Sequence, residues 1–187
     1  MIVRDLFTGP KRFSDLQRGL PKIPSNILTT RLKQLEESGL VERFTQREPR
    51  GVFYRLTEDG QELEETVIAL SRWGAKRLGE MREGEIITPD SMTMALRTTF
   101  RPERAAGPPV SFELHFGPIV LHALVRDAAV DVAAGAIDRP DLVITATPEF
   151  RSLMAGEVTP KEALDRGICA ITGKRALFDR FAQMFRI

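Results

Sequence analysis

The segment from Pro24 to Gly39 leaves few conformations open to the chain that carries it. Pro21 and Pro24 bar a helix from continuing through them, because proline lacks an N–H and its ring crowds the preceding turn. Ser25 then offers an N-cap, Leu28, Leu32 and Leu35 recur at i, i+4 and i+7, and Gly39 supplies a stop. The spacing predicts one amphipathic helix bounded at both ends. Upstream, the Gly9-Pro10 break precedes Phe13, Leu16 and Leu20 at i, i+3 and i+7, one face of a shorter helix. Two helices joined by a tight break form a helix-turn-helix pattern. The runs VERFTQRE and VFYRLT flank Pro49-Arg50-Gly51 and read as a hairpin with a basic tip. Thr57-Glu58-Asp59-Gly60 can open a further helix, and from Gln61 to Met81 the residues Leu63, Val67, Leu70, Trp73 and Leu78 make an apolar stripe near the helical period. A stripe of that length on so small a domain calls for a partner surface.

With the leucines turned inward, Asn26, Thr29, Thr30 and Lys33 share the outer face of the central helix. That set is short, polar and free of acids. A major groove admits one helix, amides and hydroxyls reach base edges, and lysine contacts phosphate or guanine. A merely solvated face has the same spacing. The net charge of +1 hides an asymmetry: residues 1–57 hold 11 Lys and Arg against 6 Asp and Glu, whereas residues 58–187 hold 16 against 20. A basic first third suits a polyanionic partner. Arg47, Arg50 and Arg55 in the hairpin, with Lys11 and Arg12 before the first helix, are candidates for DNA backbone contact.

Beyond Met81 the pattern changes. Residues 82–90, REGEIITPD, lack periodicity and read as a linker, which places one domain at 1–81 and another at 91–187. The second domain reads as α+β: a helix at 91–100, strand-like runs SFELHF, IVLHALV, AVDVAA, DLVITA and ICAIT, helices at 148–155 and 160–166, and a closing helix KRALFDRFAQMF. Phe112, Leu114, Phe116, Val120, Phe150, Met154, Phe181 and Met184 are either its plain core or the lining of an apolar ligand site. The single Cys169 rules out an internal disulfide and reads as a buried thiol, and His115 and His122 lack companions at metal-ligand spacing. No phosphate loop or nucleophile elbow occurs, so neither catalysis nor a cofactor is expected. The absence of a signal-peptide pattern or a bilayer-length apolar run places the chain in the cytoplasm, with no membrane partner.

Residues 3–74 resemble the winged helix-turn-helix of the HxlR family of bacterial transcriptional regulators. The pattern runs Gly9-Pro10-x-Arg12-Phe13-x-x-Leu16, then Ile23-Pro24-x-x-x-Leu28-x-x-Arg31-Leu32-x-x-Leu35-Glu36-x-x-Gly39-Leu40-Val41-x-Arg43, then Val52-x-Tyr54-x-Leu56-Thr57-x-x-Gly60. The resemblance implies a homodimer on double-stranded operator DNA arranged as an inverted repeat, with Ser25, Asn26, Thr29, Thr30 and Lys33 at the groove and Arg47 and Arg50 in the wing. Family members usually carry a further stretch, commonly with a sensing cysteine, before the helix that here begins at Ile2; this sequence shows neither, so the resemblance does not extend to the thiol switch or to the dimer contacts of that stretch. Residues 88–187 are similar to a sterol carrier protein-type domain in Pro140-Asp141-Leu142-Val143-Ile144-Thr145-Ala146, Leu153-Met154-x-Gly156, Ala163-Leu164-x-x-Gly167 and Ile171-x-Gly173. That likeness implies a helix-covered sheet able to hold a fatty acyl chain or sterol. The expected protein is therefore a dimeric repressor with an apolar-ligand domain. The alternative is a lipid carrier whose first domain serves for dimerisation.

Overall fold

The computed structural model describes residues 1–20, 22–75, 77 and 87–187. Its internal contacts divide the chain into two units, the first made of Met1–Leu70 and Arg82–Met94, the second of Ser71–Met81 and Ala95–Ile187.

In the first unit α1 (Ile2–Leu6), α2 (Phe13–Gly19) and α3 (Ser25–Glu37) precede a hairpin of β1 (Val41–Arg47) and β2 (Arg50–Leu56), followed by α4 (Glu58–Glu62) and α5 (Glu64–Ala75). Leu28 and Leu32 are buried with Leu6, Leu16, Val41 and Leu56, while Leu35 is only partly covered at the edge of that cluster. Ser25 is the first helical residue rather than the cap, because Pro24 already holds the extended conformation required there (φ −61°, ψ 144°). The C-terminus of α3 follows the expected logic. Gly39 adopts φ +73°, its N–H reaches the Glu36 carbonyl, and the Leu40 N–H reaches that of Leu35, the paired bonds of a Schellman ending. Strands β1 and β2 pair antiparallel with Arg47 opposite Arg50. The Lys11 and Tyr54 backbones exchange N–H···O bonds of 2.9 and 2.8 Å, so the segment before α2 joins the hairpin.

The helix expected over Gln61–Met81 is interrupted at Leu63, which separates α4 from α5, and its last residues lie largely outside the described ones. Of the segment read as linker, residues 82–86 also lie outside them. Helix α6 (Pro89–Thr99) begins two residues before the expected start, capped by reciprocal bonds between Thr88 and Ser91 (2.9 and 3.1 Å).

The second unit is a five-stranded sheet in the order β5-β4-β3-β6-β7, built from β3 (Val110–Phe116), β4 (Ile119–Arg126), β5 (Ala129–Ala134), β6 (Leu142–Ala146) and β7 (Cys169–Gly173). All pairs are antiparallel except β3 with β6. Helices α7 (Arg151–Ala155), α8 (Pro160–Asp165) and α9 (Arg175–Met184) complete it. Phe112, Leu114, Ile144, Phe178, Phe181, Met184 and Phe185 are fully enclosed. Strand alternation turns Glu113, His115 and His122 to the other face of the sheet. His115 Nε2 lies 2.7 Å from Glu113 Oε1. The Ile137 N–H donates to the other carboxylate oxygen at 2.9 Å, and these two bonds, that of Ile137 foremost, hold Glu113 below the usual carboxylate range. Burial pushes the Cys169 thiol up to about 11, which makes it unreactive at neutral pH.

Candidate nucleic-acid interface

Among the described residues Ser25, Asn26, Thr29, Thr30 and Lys33 all stand exposed on α3, as the spacing predicts. Their chemistry is narrower than their names suggest. The Thr29 hydroxyl donates to the Ser25 carbonyl at 2.8 Å, and the Thr30 hydroxyl to the Asn26 carbonyl at 2.9 Å. Each therefore keeps its oxygen lone pairs and its methyl for an outside partner, its hydrogen being committed one turn back. One turn beyond Lys33 the face acquires an acid, since Glu37 Oε1 lies 3.6 Å from Lys33 Nζ. Both groups are largely exposed, so the pair is worth little. It nonetheless makes the C-terminal end of the face less attractive to phosphate than its N-terminal end. Recognition helices read bases chiefly with their N-terminal residues, and the charge gradient on α3 runs in that sense.

Sequence spacing missed a second exposed row, Ile27, Arg31 and Gln34, in which the Arg31 guanidinium donates to Gln34 Oε1 at 2.9 Å. Ile27 sits about 100° round the helix from Leu28 and next to Thr30, and that helical position was the available signal.

The five basic residues named around the hairpin fall into two groups. Lys11 Nζ is held by Asp90 at 2.7 Å, with its side chain only 18% exposed. The Arg12 guanidinium lies 5.0 Å from the Phe53 ring centre and donates to the Arg50 carbonyl at 3.1 Å. Arg55 is paired with Glu42 at 2.5 Å and covers the Phe44 ring at 4.7 Å. The Phe44 and Phe53 rings stack at 5.9 Å, so Arg55, Phe44, Phe53 and Arg12 form a cation-aromatic stack along one face of the hairpin. In the structure these three cations brace the hairpin and its root. Arg47 and Arg50 face each other on the opposite side of the hairpin, exposed, and neither enters an ion pair among the described residues.

Of the eight residues considered for an apolar site, Val120 pairs with His115 and so lies on the opposite face of the sheet from Phe112, Leu114 and Phe116, while the phenylalanines of the set meet ring on ring. Phe112 and Phe181 meet at 5.2 Å, Phe150 and Phe181 at 6.1 Å, and Phe116 and Phe150 at 5.9 Å. Leu114, Met154 and Met184 are buried, whereas Val120 and Phe116 are half-covered near the β3–β4 turn. Among the described residues no group of three or more His, Cys, Asp and Glu side chains is placed to hold a metal ion, and no helix is long and apolar enough to cross a membrane.

Residues 1–82 match the family profile described as HxlR-like helix-turn-helix. The HTH-type transcriptional regulator YkvN of Bacillus subtilis (strain 168) is 36% identical over 98 residues, which cover 50% of this chain and 82% of YkvN. YdeP, an HTH-type transcriptional regulator of the same strain, is 35% identical over 77 residues, 41% of this chain and 60% of YdeP, so the chain spans less than two thirds of that relative. Among solved structures the reduced form of the transcriptional regulator YodB from B. subtilis is 36% identical, covering 40% of this chain and 74% of YodB, with a TM-score of 0.37.

Proposed function

We propose that this chain, which belongs to the HxlR-like helix-turn-helix family, binds operator DNA as a homodimer and represses transcription, with α3 in the major groove and the β1–β2 hairpin on the backbone. One observation carries the reading. The N-terminal part of the exposed α3 face combines an amide, two threonines and a lysine with no acid, and the nearby hairpin presents Arg47 and Arg50 exposed and in no ion pair among the described residues. Phosphate contacts position such a protein while groove contacts select the sequence.

Dimerisation has support in α5. Leu70 is 64% exposed and Trp73 is 58% exposed, and among the described residues no residue of that helix is buried. A twofold dimer would set its two α3 helices about 34 Å apart, one helical turn of DNA, which suits an inverted repeat. Its second unit, a sheet with helices against the aromatic face, supports a sterol carrier protein-type assignment. Modulation by an apolar ligand there requires the ligand to prefer one operator-binding state over the other.

Fluorescence anisotropy against enriched and scrambled duplexes, in a salt series, tests the reading. Arg47→Ala and Arg50→Ala are expected to weaken binding to both duplexes and to lower the slope of log K against log salt by about 1 each. An unchanged slope removes the hairpin from the interface. Lys33→Ala is expected instead to cost roughly 1–3 kcal/mol of discrimination between the duplexes, and an equal loss on both would assign Lys33 to phosphate.

A further inference from the structure

We infer that α3 selects thymine C5-methyl groups in the major groove, through Thr30 and Ile27. This inference rests on the DNA-binding reading above and deepens it. Two independent observations converge. The Thr30 hydroxyl is turned back to the Asn26 carbonyl at 2.9 Å, which leaves its methyl as the outward apolar group. Ile27, three residues earlier and thus adjacent on the helix surface, is 44% exposed. The part of the Ile27 side chain left in water, among Asn26, Thr30, Arg31 and Gln34, gains further when an apolar partner covers it. Thymine is the one standard base whose major-groove edge carries such a group. Thr29, whose hydroxyl is likewise committed at 2.8 Å, flanks the strip and keeps acceptor lone pairs suited to the exocyclic amino groups of adenine or cytosine. Asn26 and Lys33, on the same side of the strip as Thr29, supply polar contacts that fix the helix in register, and Arg31 lies on its other side.

The expected operator half-site therefore contains a thymine beneath Ile27 and Thr30, with an amino-bearing base as its neighbour. Burying one methyl group contributes about a fourfold change in affinity, taking ~0.8 kcal/mol per CH₂ and 1.4 kcal/mol per tenfold.

Selection of duplexes from a randomised pool by the full chain supplies the probe, after which each thymine is replaced by deoxyuridine in turn. At one or two positions per half-site the replacement is expected to weaken binding about fourfold. Thr30→Ser removes the methyl and keeps the hydroxyl, so it is expected to weaken the thymine duplex by a similar factor and to abolish the difference between thymine and uracil at that position. Ile27→Ala gives the same coupling test at the adjoining thymine. Uracil tolerated everywhere in an enriched duplex, or losses from protein and DNA changes that simply multiply, would overturn the inference while leaving operator binding intact. Failure to enrich any sequence would overturn the DNA-binding reading and this one with it.

Discussion

Gly60→Ala will destabilise the winged-helix unit by about 3 kcal/mol, the upper end of what an intruding methyl costs in a packed interior, and lower its melting temperature by roughly 15 °C. A Cβ built on Gly60 would sit 2.1 Å from the Leu40 carbonyl oxygen, with the Leu40 carbonyl carbon at 3.1 Å and Leu56 Cδ2 at 3.2 Å. The nearest of these is backbone, so no side-chain rotation relieves it. Nor can the Leu40 peptide retreat freely. Its carbonyl accepts the Thr57 N–H at 3.1 Å, the Thr57 hydroxyl donates to the Gly39 carbonyl at 2.6 Å, and the Gly60 N–H donates to that same hydroxyl at 3.1 Å. These bonds join the end of α3, the end of β2 and the start of α4 in one knot. Moving it would disturb the hairpin as well as α3, so specific DNA affinity is expected to fall together with stability. Gly74→Ala is the control: nothing lies within 4 Å of its added methyl, and removing a helical glycine is expected to stabilise α5 by up to ~1 kcal/mol. Thermal unfolding followed by circular dichroism distinguishes the two, and equal melting temperatures would mean that the Leu40–Gly60 contact is not a constraint.

That knot also marks how far the sequence could be read. Features fixed within one turn or one strand were legible. The proline and glycine bounds of α3, the inward leucines and the five alternating runs of the second unit all follow from periods of 3.6 or 2 residues. What the periodicities could not carry were partners distant in sequence. Lys11 reads as a free cation until Asp90 arrives 79 residues later, and Arg12 and Arg55 until Phe53, Phe44 and Glu42 are folded beneath or beside them. The placement of β6 between β3 and β7 depends on a crossover, not on any local pattern. On α3 the exposure of Ile27 follows from helical geometry, which sets it about 100° from Leu28, rather than from its hydrophobicity. The exposed polar face of α3 was thus legible from its period, whereas the intramolecular partners of Lys11, Arg12 and Arg55 were not.

Phe181→Ala is expected to cost the second unit about 3–5 kcal/mol, and the result decides what the aromatic cluster is for. Phe181 is fully enclosed on α9, its ring 4.5 Å from Phe185, 5.2 Å from Phe112 and 6.1 Å from Phe150. A ring held on three sides by other rings loses both its transfer free energy and its dispersion contacts when truncated, and the neighbours come from a strand and two helical segments that cannot all collapse inward. In an apolar ligand site the same substitution behaves differently. A ring bordering a tunnel already lacks contacts on one side, so its removal costs little, and an acyl chain bound there would recover part of the loss. Urea unfolding of the wild-type and Phe181→Ala chains, with native mass spectrometry for co-purifying lipid, separates these cases. A loss of several kcal/mol without lipid makes the cluster a core, and leaves the second unit's contribution to regulation to its surfaces. A loss below about 1 kcal/mol, accompanied by bound acyl chain, would instead make Phe112, Phe150 and Phe181 the walls of a ligand site and revive the coupling between ligand and operator.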